Sequence, residues 1–324
     1  VIINGTQTLS FTGIPNSGTY NLPITFTSSG KPSIDGYNLA GNPYPSPISW
    51  NAVSGLNSSH VINVVKRLAN TSTYVGQYAD WNGVVCTNGA DDNIALGQAF
   101  FVKALPSGTN LTMNNSVRRS VPTAKFFEDS EELADVHNLI RLKLSGGLGA
   151  DEAVIYSTSS ASNNYDPNVD AVKMLATMPG VPNIYTKNAE GEYSINGIGI
   201  LGTDQVIPLD MLSAGEGIHK LEVLELLHFE PTTEVYLEDR SNHQFYKLRS
   251  SASLEFNLPA GVVADRFYIH FQPAIQVSVA NETCKKYDGR INISNPSSKA
   301  RQIKVKDANG VVWFENTSFT GSTS

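Results

Sequence analysis

Short runs of alternating apolar and polar residues recur along almost the whole chain. Each closes within a few residues on Gly, Pro, Asn or Ser, and no other feature limits the fold so tightly. Tyr20-Asn21-Leu22-Pro23-Ile24, Ala99-Phe100-Phe101-Val102-Lys103-Ala104 and Asn138-Leu139-Ile140-Arg141-Leu142-Lys143-Leu144 read this way, as do Ala153–Tyr156, Glu234–Asp239 and Asp265–Phe271. A period of two places alternate side chains on opposite faces of a strand. Thr8–Phe11 followed by Tyr20–Ile24 gives a hairpin-like beginning. Turn signals about every 8–15 residues, with no strand–helix–strand alternation, predict an all-β chain of tandem β-sandwich domains, jelly-roll or Ig-like, with few short helices.

Helical candidates are few. Val61 to Leu68 has apolar residues at 61, 62, 64, 65 and 68 after Ser58-Ser59, a spacing that predicts a short helix. A turn is expected from Val169 to Leu175, after Pro167. Leu221–Leu227 is read as strand, since Gly217 and Pro231 bracket a short run between other strands.

A chain of 324 residues exceeds one ordinary domain. One boundary is expected near Pro122–Lys125, where a basic stretch leads into the acidic run Glu128–Asp135. A second is expected near Gln272-Pro273-Ala274. The resulting units are 1–124, 125–273 and a partial Ig-like or sorting-type module at 274–324, about 50 residues against the ~100 of a complete Ig fold. The opening Val1-Ile2-Ile3 reads as strand, and the chain reads as a piece of something longer.

Charged residues make up 16% of the chain and the net charge is −7. That balance argues against nucleic acid, whose phosphates require a basic face, and against an anionic membrane surface. No apolar run approaches the ~18 residues of a spanning helix, so membrane insertion is not expected. Cys86 and Cys284 lie far apart in sequence. They are two isolated thiols unless the fold brings their Cα atoms within about 7 Å.

Gly36-Tyr37-Asn38-Leu39-Ala40-Gly41-Asn42-Pro43-Tyr44-Pro45-Ser46-Pro47-Ile48-Ser49-Trp50 is the most distinctive stretch. Its prolines steer Asn42, Tyr44 and Ser46 toward extended backbone. The result is a stiff crossing that can set Tyr44 and Trp50 at defined angles. Together with Gly97–Ala104 and, in order, Phe126-Phe127, Leu139–Leu144, Asp151–Tyr156, Tyr165–Lys173, Tyr193–Asn196, Val235–Asp239 and Asp265–Phe267, it resembles a β-sandwich region of large secreted and cell-surface proteins of Bacteroidetes. That region lies upstream of the C-terminal sorting domain read by the type IX secretion system. The likeness covers about residues 1–273. It implies a secreted or surface-attached location, a non-catalytic role beside adhesins, and passage through the type IX machinery for the full-length protein. It supplies no catalytic residues.

Two constellations carry candidate sites. Asp166, Asn168 and Asp170 have the D-x-N-x-D spacing whose oxygens can converge on Ca²⁺, the only cofactor the sequence suggests. The competing reading is a capped turn. Tyr44, Trp50, Tyr78 and Trp81, within an aromatic group that includes Tyr37 and Tyr74, could stack on sugar rings, with polysaccharide or another surface protein as partner. The competing reading is core packing. The histidines are dispersed without zinc-ligand spacing, and His270 is read as a packed or edge residue. No nucleophile elbow or phosphate loop occurs. Glu238 and Asp239 are adjacent on a strand and cannot serve as a glycosidase pair. The leading expectation is a non-enzymatic adhesion, presentation or spacer segment. A carbohydrate-binding module is the alternative.

Overall fold

A computed structural model describes residues 10, 12–28, 30, 35–54, 58–66, 77–104, 106, 109–120, 135–176, 178–202, 204–280, 290–297 and 300–323. The fold is all-β. The described residues contain no α-helix, only short 3₁₀ turns at Trp50–Ala52 and Asn115–Val117. The expected boundary at 122–125, Thr8–Phe11 apart from Ser10, Tyr74 and Cys284 lie outside the described residues.

The first unit comprises β1 (Tyr20–Ile24), β2 (Tyr37–Gly41), β3 (Ile48–Ser49), β4 (Ser58–Lys66), β5 (Gln77–Trp81), β6 (Asn93–Ile94), β7 (Ala99–Ala104) and β8 (Thr109–Met113). One sheet runs β2-β7-β4-β5, and the pairs β1·β8 and β3·β6 complete the unit. The expected helix from Val61 is therefore a strand. Apolar residues at 61, 62, 64 and 65 fit either period. Their β-branched side chains favour extended backbone, and β4 finds partners on both edges. β1 pairs antiparallel with β8, distant in sequence.

The proline-rich crossing feeds the core of this unit. Gly36 (φ +78°) approaches the Ala104 carbonyl so closely that a Cβ would stand 2.4 Å from it, so only glycine fits there. Asn42 Oδ1 accepts from the Tyr44 amide (2.9 Å), and its Nδ2 donates to the carbonyls of Ser46 (2.8 Å) and Ala95 (3.0 Å). That fixes the bend that sends Tyr44 inward among Ile24, Ile48, Phe100, Leu111 and Met113.

The second unit is one large sheet. Its strands are β9 (Asn138–Gly146), β10 (Gly149–Ser157), β11 (Ala171–Val172), β12 (Asn183–Lys187), β13 (Glu192–Ile198) and β14 (Gln205–Ser213). They continue with β15 (Gly217–Leu227), β16 (Thr233–Asp239), β17 (Gln244–Lys247), β18 (Ser253–Leu258) and β19 (Gly261–Pro273). The order is β17-β16-β19-β14-β12-β13-β10-β9-β15-β18, with β11 added on β13. β10 and β13 run parallel. Inward residues from both ends of the sheet, among them Leu142, Leu144, Leu209, Leu221, Leu237 and Phe267, share one core. A sheet that curls onto itself in this way buries its apolar face without helices. Leu221–Leu227 is strand, as read. The turn expected over Val169–Leu175 is not formed there: the turn lies at Pro167–Val169, and β11 follows at Ala171–Val172 because it pairs with β13.

The third unit holds β20 (Gln276–Ala280), β21 (Arg290–Asn295), β22 (Arg301–Lys306), β23 (Val312–Phe319) and β24 (Gly321–Thr323), in sheets β20-β21-β24 and β22·β23.

Candidate functional site

The chemically richest part of the molecule lies between the first and second units, where β5 and the turn after it meet β10, β11 and β13. Gln77, Asp80, Asn82, Thr87 and Asn88 from the first unit are all buried, as are Asp151, Asp170, Lys173 and Ser194 from the second. Buried polar groups must find partners or lose several kcal/mol of hydration, and these find them mainly across the junction.

Asn82 ends β5. Its Oδ1 accepts from the amides of Val84 (3.0 Å) and Val85 (2.8 Å), which shapes the turn. Its Nδ2 donates to the Val169 carbonyl (2.6 Å) and the Tyr156 hydroxyl (3.1 Å) of the second unit. Asn88 is left-handed (φ +54°), a conformation asparagine tolerates. In that pose its amide donates to Glu152 Oε2 (2.7 Å) and its Nδ2 to Asp151 Oδ1 (2.9 Å). Gln77 donates to the Ala150 carbonyl and to Asn88 Oδ1 (3.0 Å). Arg141 of β9 reaches back to the Cys86 carbonyl and holds Glu225 through Nε (2.7 Å).

At the centre, Lys173 Nζ is in direct contact with Asp151 Oδ2, which also accepts from the Ile184 amide (2.9 Å). Asp80 Oδ2 accepts from the hydroxyls of Ser194 (2.5 Å) and Thr87 (3.3 Å). Asp80 Oδ1 is buried and receives no hydrogen bond among the described residues. Burial pushes Asp80 up to about 6, against the Lys173 cation and the Ser194 hydroxyl, which pull it down.

The sequence over residues 3–271 matches a family described as a domain of unknown function, DUF8693. The chain belongs to that family. No curated protein and no solved structure matches the chain. The DUF8693 span takes in both sides of the polar seam and ends within β19, before the third unit.

The residues singled out from sequence land elsewhere or differently. Tyr44 and Trp50 are 2% and 1% exposed. The Tyr44 hydroxyl lies 2.8 Å from the Met113 carbonyl, and Trp50 packs edge-on against Phe100. Both are core residues rather than stacking faces, because the bend over Tyr44–Ser46, held by Asn42, turns them inward. Tyr78 is half-buried against Phe101. Trp81 is half-buried too, with Nε1 donating to Asn51 Oδ1 (3.3 Å). The four do not form a shared exposed platform.

Asp166–Asp170 forms a turn closed by the Val169 and Asp170 amides on the Asp166 carbonyl (3.0 and 2.9 Å). Asp170 Oδ1 and Oδ2 accept from the Gly197 and Asp166 amides (both 2.7 Å), Asp166 Oδ2 accepts from the Ser162 amide (2.6 Å), and Asn168 is exposed. Backbone amides thus bond both Asp170 oxygens and one Asp166 oxygen, as in a capped turn. Among the described residues no group of three or more His, Cys, Asp or Glu gathers as metal ligands. Burial raises Asp170 to about 7 despite those two amide donors. Burial also pushes the Cys86 thiol up, which lowers its thiolate fraction and nucleophilicity. His270 is packed against Phe245 and bonded to Glu238 (2.8 Å).

Sequence reading missed Asp80, Asn82, Asn88, Lys173 and Lys103. Lys103 of β7 lies over the rings of Tyr165 (4.7 Å) and Tyr37 (5.6 Å), beside a cleft of ≈ 400 Å³ also lined by Glu190 and Tyr193. Burial lowers its amine to about 8, with Asp35 opposing. The available signal was an acid or amide inside otherwise apolar strand text, as in Tyr78-Ala79-Asp80-Trp81.

Proposed function

We propose that this chain is a non-catalytic segment of a secreted or cell-surface protein, a rigid spacer that holds an adhesive or other module away from the envelope. The observation that carries the reading is the polar seam. A spacer must keep two units at one angle under load. Apolar surfaces can slide over one another, whereas hydrogen bonds weaken steeply once misaligned. Between the first and second units, Asn82, Asn88, Gln77 and Asp80 each meet a particular partner, so that small displacements break several bonds at once. The low charge and acidic balance fit an extracellular surface. The sequence resemblance supports delivery by the type IX route.

Force spectroscopy tests the mechanical part. With handles on the first and second units, the expected record is one cooperative rupture covering both. Independent rupture of the first unit at low force, unchanged by Asn82→Ala, would overturn it. Labelling of intact cells with an antibody against the chain tests the location, and signal only after lysis would count against a surface role.

A further inference from the structure

Two buried groups in the seam stand in direct contact. The Lys173 and Asp151 side chains are 2% and 1% exposed and touch through Nζ and Oδ2. Removal from water costs both charges dearly. The contact sets an amine-bearing side chain against a carboxyl group. Those are the reactants of an amide, held at contact distance where the entropy of encounter has already been lost.

We propose that Lys173 Nζ and Asp151 Cγ condense to an intramolecular isopeptide bond. The Nζ–Cγ bond forms and the Cγ–Oδ2 bond breaks. Of the three ammonium hydrogens, one stays on the new amide nitrogen and two pass to Oδ2, which touches Nζ, and leave with it as water. Charge balances, since one cation and one anion disappear together, and no oxidant, cofactor or second molecule is needed.

The surroundings suit each stage. Asn88 Nδ2 donates to Oδ1 (2.9 Å), the oxygen that carries charge in the tetrahedral intermediate and becomes the amide carbonyl. The Ile184 amide donates to Oδ2, the departing oxygen (2.9 Å). Burial of the pair keeps bulk water from hydrolysing the product. The bond would tie β10 to the segment just after β11, closing a loop between positions 22 residues apart. This inference stands on the contact of Lys173 with Asp151 and is independent of the spacer reading.

The intact mass of the full, folded chain decides it. The expected mass is lower than the sequence mass by one water, and digestion yields a branched peptide joining the segments that contain Asp151 and Lys173. Lys173→Arg and Asp151→Ala recover the full mass and lose the branched peptide. Full mass in the wild type, or loss of water without the branched peptide, overturns the proposal, and neither result depends on a variant folding.

Discussion

Two junctions connect the three units, and they are built from different materials. The first is a seam of desolvated, hydrogen-bonded polar groups running from Gln77 and Asn88 through Asp80 to Asn82. The second, among the described residues, rests on a few side chains. Ser297 donates to Asp204 (2.5 Å), and Arg301 donates to Gln272 (2.8 Å) and lies 3.7 Å from Glu234. A cleft of ≈ 390 Å³ lies beside them, lined by Leu201, Thr232, Phe271 and Gln276. The contrast predicts that the first and second units unfold as one body and that the third behaves as an appendage. The DUF8693 match draws its limit at the same place.

The sharpest way to break that contrast is to remove one half of the buried pair. Lys173→Met leaves Asp151 without its cation or its amide partner, and urea unfolding should record a loss of about 3–5 kcal/mol. An equal loss from a change at the second junction would erase the distinction.

Acidity offers the next lever. Folding raises Asp80 to about 6 and Asp170 to about 7 from 3.8. Over that interval the folded chain holds protons that the unfolded chain has released. Their contribution is therefore full below about pH 4 and declines as pH climbs through 6 and then 7. Comparison of wild type with Asp80→Asn across this window isolates the Asp80 share, about 2–3 kcal/mol. Parallel pH curves would show that Asp80 does not titrate in the seam.

Asn82→Ala removes the turn cap and both bonds across the junction, leaving the Val169 carbonyl and the Tyr156 hydroxyl only their bond to each other (3.1 Å), at a cost of about 2 kcal/mol. Calorimetry should then resolve separate transitions for the first and second units. A single unsplit transition would mean that other contacts carry the coupling. Smallest is Arg301→Ala, expected to change stability by at most about 1 kcal/mol and to leave the melting of the first two units untouched. A larger shift there would promote the third unit from appendage to partner.

Most strands were legible in the sequence because a period of two is local, as in Asn138–Leu144 and Glu234–Asp239. β4 was not. Its apolar positions satisfy both periods, and the decision fell to pairing with β5 and β7, which sequence does not display. Sheet order was hidden for the same reason, the parallel pairing of β10 with β13 above all. The proline-rich crossing could be read as a bend that orients Tyr44 and Trp50, but its depth depends on partners such as Met113 far along the chain. The seam escaped because its halves are remote. Asn82 and Val169 are 87 positions apart, and Asp80 and Ser194 are 114 apart. The D-x-N-x-D spacing left two readings open, and the structure shows backbone amides bonding Asp166 and Asp170 in a turn.

The one-to-one matching of donors in the seam also bears on descent. A residue at position 82 cannot drift alone, since its change removes both of its bonds across the junction, to the carbonyl at 169 and the hydroxyl at 156. The same holds for 80 with 194, and for 88 with 151 and 152. In an alignment of relatives these positions should therefore change in concert, whereas 297, 301 and 204 should wander independently. The seam would then be inherited as a single character, written in pairs.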